Sequence, residues 1–263
     1  MNKNDIQKRR NEPWREELRK AISVKERLTF KRAHMKEENP DVRNKSNIEV
    51  NKGFTREQAL AEARRCIDCP TPTCISGCPV EIAIPDFVKE TERGNFTEAA
   101  QIIKETSSLP AVCGRVCPQE RQCEKECFYT IKLHQEPVAI GNMERFVADY
   151  ERTNAKPHIP EIKKNGIKVA VVGSGPAGLS FASDMAVRGY DVTVFEALHE
   201  IGGVLKYGIP EFRLPNTVID HEINYLNQLG IIFETNVIVG KTLTFEELDE
   251  LGFKGIFIGS GAG

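Results

Sequence analysis

All eight cysteines of this 263-residue chain lie between Cys66 and Cys127, spaced Cys66-x2-Cys69-x4-Cys74-x3-Cys78 and Cys113-x3-Cys117-x5-Cys123-x3-Cys127. Such crowding calls for a chemical use of the sulfurs. Four thiolates at short spacing can hold a cubane iron–sulfur cluster, and the prolines after Cys69, Cys78 and Cys117 stop helices and bend the backbone around it. Zinc and disulfides are the competing uses. Zinc sites favour paired Cys-x2-Cys knuckles, and here only Cys66 and Cys69 have that spacing. Disulfides belong to oxidising compartments, whereas the first thirty residues are studded with charge (Lys8-Arg9-Arg10, Arg15-Glu16-Glu17, Lys25-Glu26-Arg27) and lack the apolar stretch of a signal peptide. The spacing favours two [4Fe–4S] clusters over zinc, in a cytoplasmic protein.

The length suits two domains. Residues 1–50 have apolar positions too sparse for a core of their own and read as an arm with one helix over about Pro13–Lys31 that docks elsewhere. Its mixed charge suits a solvated face better than a partner surface. A helix starts at Thr55, where a capping hydroxyl stands three residues before Gln58, and runs to the first cysteine. Pro85–Glu92, Phe96–Thr106 and Pro137–Tyr150 read as amphipathic helices, so residues 51–150 form an all-helical domain. Residues 151–165, with prolines, charges and no period, read as a linker. No run reaches the ~20 apolar residues of a membrane span, and a formal net charge of -2 gives no field to attract nucleic acid or anionic lipid.

After Gly166 the pattern changes to alternating strand and helix. The strand Ile167–Val172 runs into Gly173-Ser174-Gly175-Pro176-Ala177-Gly178, a helix follows over Pro176–Arg188, and a second strand, Asp191–Phe195, ends beside Glu196. This is the G-x-G-x-x-G fingerprint in its required βαβ setting. Gly173 allows the tight turn, Gly175 lets a pyrophosphate approach, Gly178 permits close packing of helix on strand, and the helix N-terminus supplies amide donors. Glu196 stands where a carboxylate takes ribose hydroxyls and would repel a 2′-phosphate, which leaves FAD or NAD as the nucleotide of this loop. His34, His134, His158, His199 and His221 are scattered singly, and no catalytic acid or nucleophile is evident.

Several stretches together resemble the small (beta) subunit family of NADPH-dependent glutamate synthase, which includes the N-terminal part of dihydropyrimidine dehydrogenase and the large subunit of the bifurcating ferredoxin:NADP oxidoreductase. They are Arg65-Cys66-Ile67-Asp68-Cys69, Gly77-Cys78-Pro79, Cys113-Gly114-Arg115-Val116-Cys117-Pro118, Ala139-Ile140-Gly141 with Glu144-Arg145-Phe146, the glycine loop, and above all the run from Gly202-Gly203-Val204-Leu205 to Arg213-Leu214-Pro215. The resemblance implies an α + α/β architecture: a ferredoxin-like helical domain with two [4Fe–4S] clusters, then an incomplete Rossmann-type FAD domain over residues 166–263. It implies that Cys66, Cys69, Cys74 and Cys127 hold one cluster. Cys78, Cys117, Cys123 and Glu144 would hold the other and leave Cys113 unligated, although on its residues alone Glu144 reads as a solvated helix position. It assigns the flavin pyrophosphate to Gly173–Gly178, the ribose to Glu196, and further flavin contacts to Gly203, Val204, Leu205 and Gly261.

The resemblance further implies an oxidoreductase that takes electrons from NADPH through FAD and the two clusters to a partner, which in glutamate synthase is the large subunit that makes glutamate from 2-oxoglutarate and glutamine. A bifurcating or sulfide/polysulfide oxidoreductase subunit, or a non-enzymatic electron-transfer module, are the alternatives. The chain stops inside the family's second flavin motif, before any NAD(P)H-binding domain. A truncated sequence, not fully active alone, is therefore the expectation.

Overall fold

The computed structural model describes residues 3–154 and 157–262, which divide into two compact units: residues 3–46 with 50–154, and residues 47–49 with 157–262. Among the described residues no helix is long and apolar enough to cross a membrane.

The first unit is helical: α1 (Lys3–Arg10), α2 (Pro13–Ala21), α3 (Val24–Arg27), α4 (Pro40–Arg43), α5 (Arg56–Arg65), α6 (Thr73–Ser76), α7 (Ile84–Glu92), α8 (Phe96–Lys104), α9 (Pro110–Val116), α10 (Phe128–Leu133) and α11 (Ile140–Asn154). Helix α5 opens on a full capping box, in which the Thr55 hydroxyl accepts from the Gln58 amide and the Gln58 side chain accepts from the Thr55 amide. Helix α8 buries Phe96, Ala99, Ala100 and Ile103, and α11 buries Met143, Phe146 and Val147, the helical spacing of a core-facing stripe. The stripes meet at Phe96, whose ring stands edge-on to Phe146 with centroids 5.0 Å apart. Gly114 brings α9 against α11, because a β-carbon there would lie 2.5 Å from the Arg145 amide nitrogen.

Two expectations need correction. The arm is not one helix with a solvated face: α1, α2 and α3 are separate, and Arg15 and Arg27 are 1% exposed within the first unit. Buried ion pairs anchor the arm, and Leu28, Ala33 and Met35 add apolar contact with the core. The expected linker also begins too early. Helix α11 continues to Asn154, with Glu151 buried and paired with Lys104. Ala155 and Lys156 of that expected linker, Met1 and Asn2 of the arm, and Gly263 at the point of expected truncation lie outside the described residues.

The second unit carries β1 (Lys168–Val172), α12 (Pro176–Val187), β2 (Asp191–Glu196), α13 (Val204–Tyr207), α14 (Asn216–Gln228), β3 (Ile232–Thr235), α15 (Phe245–Glu250) and β4 (Phe253–Ile258). All strand pairs are parallel, in the order β3-β2-β1-β4, which is half of a doubly wound sheet. Val169, Ala170 and Val171 of β1 and Val192 and Val194 of β2 are buried, as strands covered on both faces require. The glycine loop follows the central strand, at the C-terminal edge of the sheet.

Candidate functional site

The Cys66, Cys69, Cys74 and Cys127 side chains line one cavity, together with Ile67, Pro72, Ile84, Val88, Tyr129 and Val138. Chain turns assemble it. Cys66 caps the C-terminus of α5, Cys74 lies in the single turn of α6, and Cys127 caps the N-terminus of α10. The Thr73 hydroxyl donates to the Glu126 carbonyl at 2.5 Å and ties the second turn to the third. Among the described residues no three His, Cys, Asp or Glu side chains converge closely enough for a single metal ion. The four thiols surround an apolar space instead.

Burial, and then the neighbouring Cys66 and Cys127, push the Cys69 thiol up to about 12. Burial and the surrounding cysteines push Cys74 well above its ordinary range as well. Buried thiols raised in this way ionise only when positive charge enters among them. An iron–sulfur core supplies that charge and takes thiolate ligands, so the donor set, its burial and its apolar lining fit a cluster.

A second group forms where α9 lies against α11. Burial first, then Glu144 and Cys78, push the Cys117 thiol up to about 11. Burial, then Glu124, Glu144, Cys78 and Cys117, raise Cys123 further. Cys78 and the Glu144 carboxylate are thus both close enough to Cys117 and Cys123 to raise them. Glu144 is 5% exposed on α11, so its reading as a solvated helix residue is corrected. Gly77, next to Cys78, packs where a β-carbon would lie 2.9 Å from the Glu126 side chain, which brings the Cys78 turn onto the Cys123–Cys127 segment. Cys113 lies inside α9, one turn before Cys117, and its carbonyl accepts from the Gln119 side chain at 3.0 Å.

In the second unit the loop after β1 has the geometry that a nucleotide needs. A β-carbon on Gly178 would lie 1.9 Å from the Gly173 carbonyl oxygen, and one on Gly173 2.6 Å from the Gly259 carbonyl at the end of β4. A β-carbon on Gly175 would meet nothing within 4 Å, so the open side of the loop is at Gly175. Pro176 and Ala177 are exposed at the start of α12. Gly203, at φ 52°, comes so close that its β-carbon would lie 2.8 Å from the Gly175 α-carbon, which sets the 202–205 turn against the loop. Within that turn Val204 is exposed and Leu205 is buried. Gly261 follows β4 in a left-handed conformation, φ 81°.

Glu196 is buried at the end of β2. Its Oε2 accepts from the Ser174 amide at 2.8 Å and the Ser174 hydroxyl at 2.5 Å, and its Oε1 accepts from the Leu198 amide at 2.9 Å. The Ser174 hydroxyl also accepts from the Gly202 amide at 2.9 Å. Ser174 thus ties the glycine loop, the acidic end of β2 and the 202–205 turn together. Sequence spacing gave Ser174 no role beyond its place in the motif.

Residues 43–156 match the family model described as dihydropyrimidine dehydrogenase domain II, 4Fe-4S cluster, and residues 171–233 match that of an NAD(P)-binding Rossmann-like domain. Among curated proteins, the chain is 38% identical to the glutamate synthase [NADPH] small chain of Escherichia coli K12, over 81% of this chain and 45% of that one. It is 37% identical to the same protein of Azospirillum brasilense, over 76% and 42%. It is 40% identical to the NAD-dependent dihydropyrimidine dehydrogenase subunit PreT of E. coli K12, over 76% and 48%. The chain spans less than half the length of these curated relatives.

Proposed function

From the premise that the chain belongs to the family of the glutamate synthase small chains and the PreT subunits, we propose that it is the cluster-bearing and flavin-binding portion of an NADPH-dependent oxidoreductase subunit that delivers electrons to a partner subunit. The observation that carries this reading is the cavity ringed by Cys66, Cys69, Cys74 and Cys127 in a chain that also holds an open glycine loop. When bound, FAD accepts a two-electron hydride, and [4Fe–4S] clusters carry electrons one at a time.

The protein's own part is binding and insulation. Cys66, Cys69, Cys74 and Cys127 would hold the first cluster behind Ile84, Val88 and Val138. Cys78, Cys117, Cys123 and Glu144 would hold the second, where a carboxylate replaces one thiolate and tunes the potential through ligand type and charge. The Gly173–Gly178 loop and the start of α12 would take the flavin pyrophosphate. Glu196 would take the ribose, with Gly203, Val204, Leu205 and Gly261 nearer the flavin ring. Since Leu205 is buried, its part there would be through backbone, and Val204 offers the exposed side chain.

The partner proposed first is the glutamate synthase large subunit, which would make glutamate from 2-oxoglutarate and glutamine. The similarity to PreT, at 40% identity, is the ground for a second reading in which the acceptor is another electron-accepting subunit. A cytoplasmic setting accords with cysteines held for redox metal.

The test is anaerobic purification with iron, sulfide, zinc and flavin quantified on the same sample. About eight irons and eight sulfides per chain, with bound FAD, are expected. Zinc without sulfide would overturn the redox reading. A protein that joins these residues to an NAD(P)H-binding domain should oxidise NADPH with a one-electron dye, and adding each candidate partner subunit separates the two acceptor readings.

A further inference from the structure

The Cys66–Pro70 loop is gripped from outside its cavity, mostly by the N-terminal arm. The Arg10 guanidinium donates to the Asp68 carbonyl at 3.0 Å, the Gln7 amide donates to the Pro70 carbonyl, and Lys89 of α7 donates to the Cys66 carbonyl at 2.5 Å. Arg27 reaches the same Cys66 carbonyl at 3.4 Å and pairs with Glu92 at 2.9 Å.

Between Cys66 and Cys69, Asp68 is fully buried in a left-handed conformation, φ 55°, which is uncommon for a residue other than glycine. Its carboxylate is shared by Arg15 and Arg19, each at 2.6 Å, and Arg15 also pairs with Asp86. The alternate carbonyls of a loop bearing two thiols are thus fixed by side chains from outside the loop. The cations Arg10, Arg15, Arg19, Arg27 and Lys89 face the loop from outside, with the carboxylates of Asp68, Asp86 and Glu92 set among them.

We propose that the N-terminal helices form a cationic clamp on the loop of the first cluster, with Arg15 as the positioning residue that locks Asp68 and places a positive charge beside the site. The inference rests on the cluster reading above. Net charge near a cluster is one of the protein's levers on its potential. A site made of four thiolates is electron-rich, so nearby positive charge favours the reduced state. Removing a partner from a buried ion pair also leaves the other charge under-compensated, and here Asp68, left with Arg19 alone, would sit between two ligands.

The test compares the anaerobically purified chain with its Arg15→Met, Arg15→Lys and Arg19→Gln variants by iron and sulfide content and by potentiometric EPR. The first-cluster signal is assigned by its absence from Cys74→Ser. In Arg15→Met, iron is expected to fall from about eight to about four per chain, or the first cluster's potential to move negative while the second stays fixed. Arg15→Lys keeps the charge but not the two-pronged geometry, so it should restore the potential while iron retention stays reduced. Arg19→Gln, at a partly exposed position, should move the first potential in the same direction.

Wild-type iron and potentials in Arg15→Met would overturn the clamp. Should Arg15→Met lose both clusters together with its helical signal, Arg19→Gln decides: an unmoved first potential overturns the inference. A wild-type chain without iron and sulfide would overturn the cluster reading itself, an outcome separate from failure of the clamp.

Discussion

Gly175 and Gly178 stand three residues apart in one loop and answer to different demands. At Gly178 a β-carbon would lie 1.9 Å from a backbone carbonyl that the strand before it fixes in place, so a side chain forces helix and strand apart. At Gly175 φ is -66° and the space is open, so alanine is tolerated by the fold and obstructs only what comes to lie there. Gly178→Ala should destabilise the second unit by about 1–3 kcal/mol, the usual cost of overpacking. Gly175→Ala should leave the melting temperature in place and weaken flavin binding. Thermal unfolding and flavin titration on both variants check this, and equal melting temperatures would refute the contrast.

The thiols make a prediction in pH. A free cysteine loses its proton near 9, whereas burial and the adjacent Cys66 and Cys127 hold the Cys69 proton to about 12. Between those values the unfolded chain releases a proton that the folded chain keeps. Stability is thus fully present below about pH 9 and is lost as pH rises through about 12. Cys117, pushed up to about 11, acts with the same sign. For the reduced, cluster-free chain, urea unfolding at pH 9 and pH 11 should differ by about 2 kcal/mol more than in Cys69→Ser, which lacks the group. An identical pH slope in the two proteins would remove Cys69 from the account.

At the scale of the element, α5 is the segment whose start governs where Cys66 falls. Replacing Thr55 by alanine removes the hydroxyl that accepts from the Gln58 amide and should cost about 1 kcal/mol, measurable by denaturant unfolding. A change near zero would mean that packing alone fixes the helix. That cap was legible in the sequence because its two residues lie in one short stretch, and so was the βαβ order, because strand, glycine loop and helix follow one another. Helices α9 and α10 were not legible. They are seven and six residues long, sit between cysteines and prolines, and carry no period of their own. Their place is set by contact, as at Gly114 against the Arg145 backbone. Glu144 illustrates the same limit: a carboxylate on a helix gives no local sign of being buried, and only the family pattern singled it out.

At the scale of the whole molecule, the arm shows why apolar patterning alone missed how the first unit is closed. Arg15, Arg27, Asp68 and Glu92 are all within 3% of full burial, and no hydrophobic stripe advertises them. The partners lie 53 residues apart for Arg15 and Asp68, beyond the reach of any local rule. Charge-anchored closure has a consequence at the boundary between the units. Residues 157–162 have no regular structure, and Glu161 is exposed among them, whereas the chain from Asn165 onward is tied to the second unit by its amide donating to the Gly189 carbonyl at 2.9 Å. The first unit ends at α11, with its own core around Phe96, Met143 and Val147. A glutamate-specific protease should therefore cut first at Glu161, since exposed backbone without ladder hydrogen bonds opens at the least free-energy cost. The anaerobic digest should give two stable products: an N-terminal piece that keeps the iron and all eight cysteines, and a C-terminal piece with the glycine loop. Iron released at the same rate as the cut would mean that the cluster-bearing unit depends on the second unit, and that the two compact units are not independent folds.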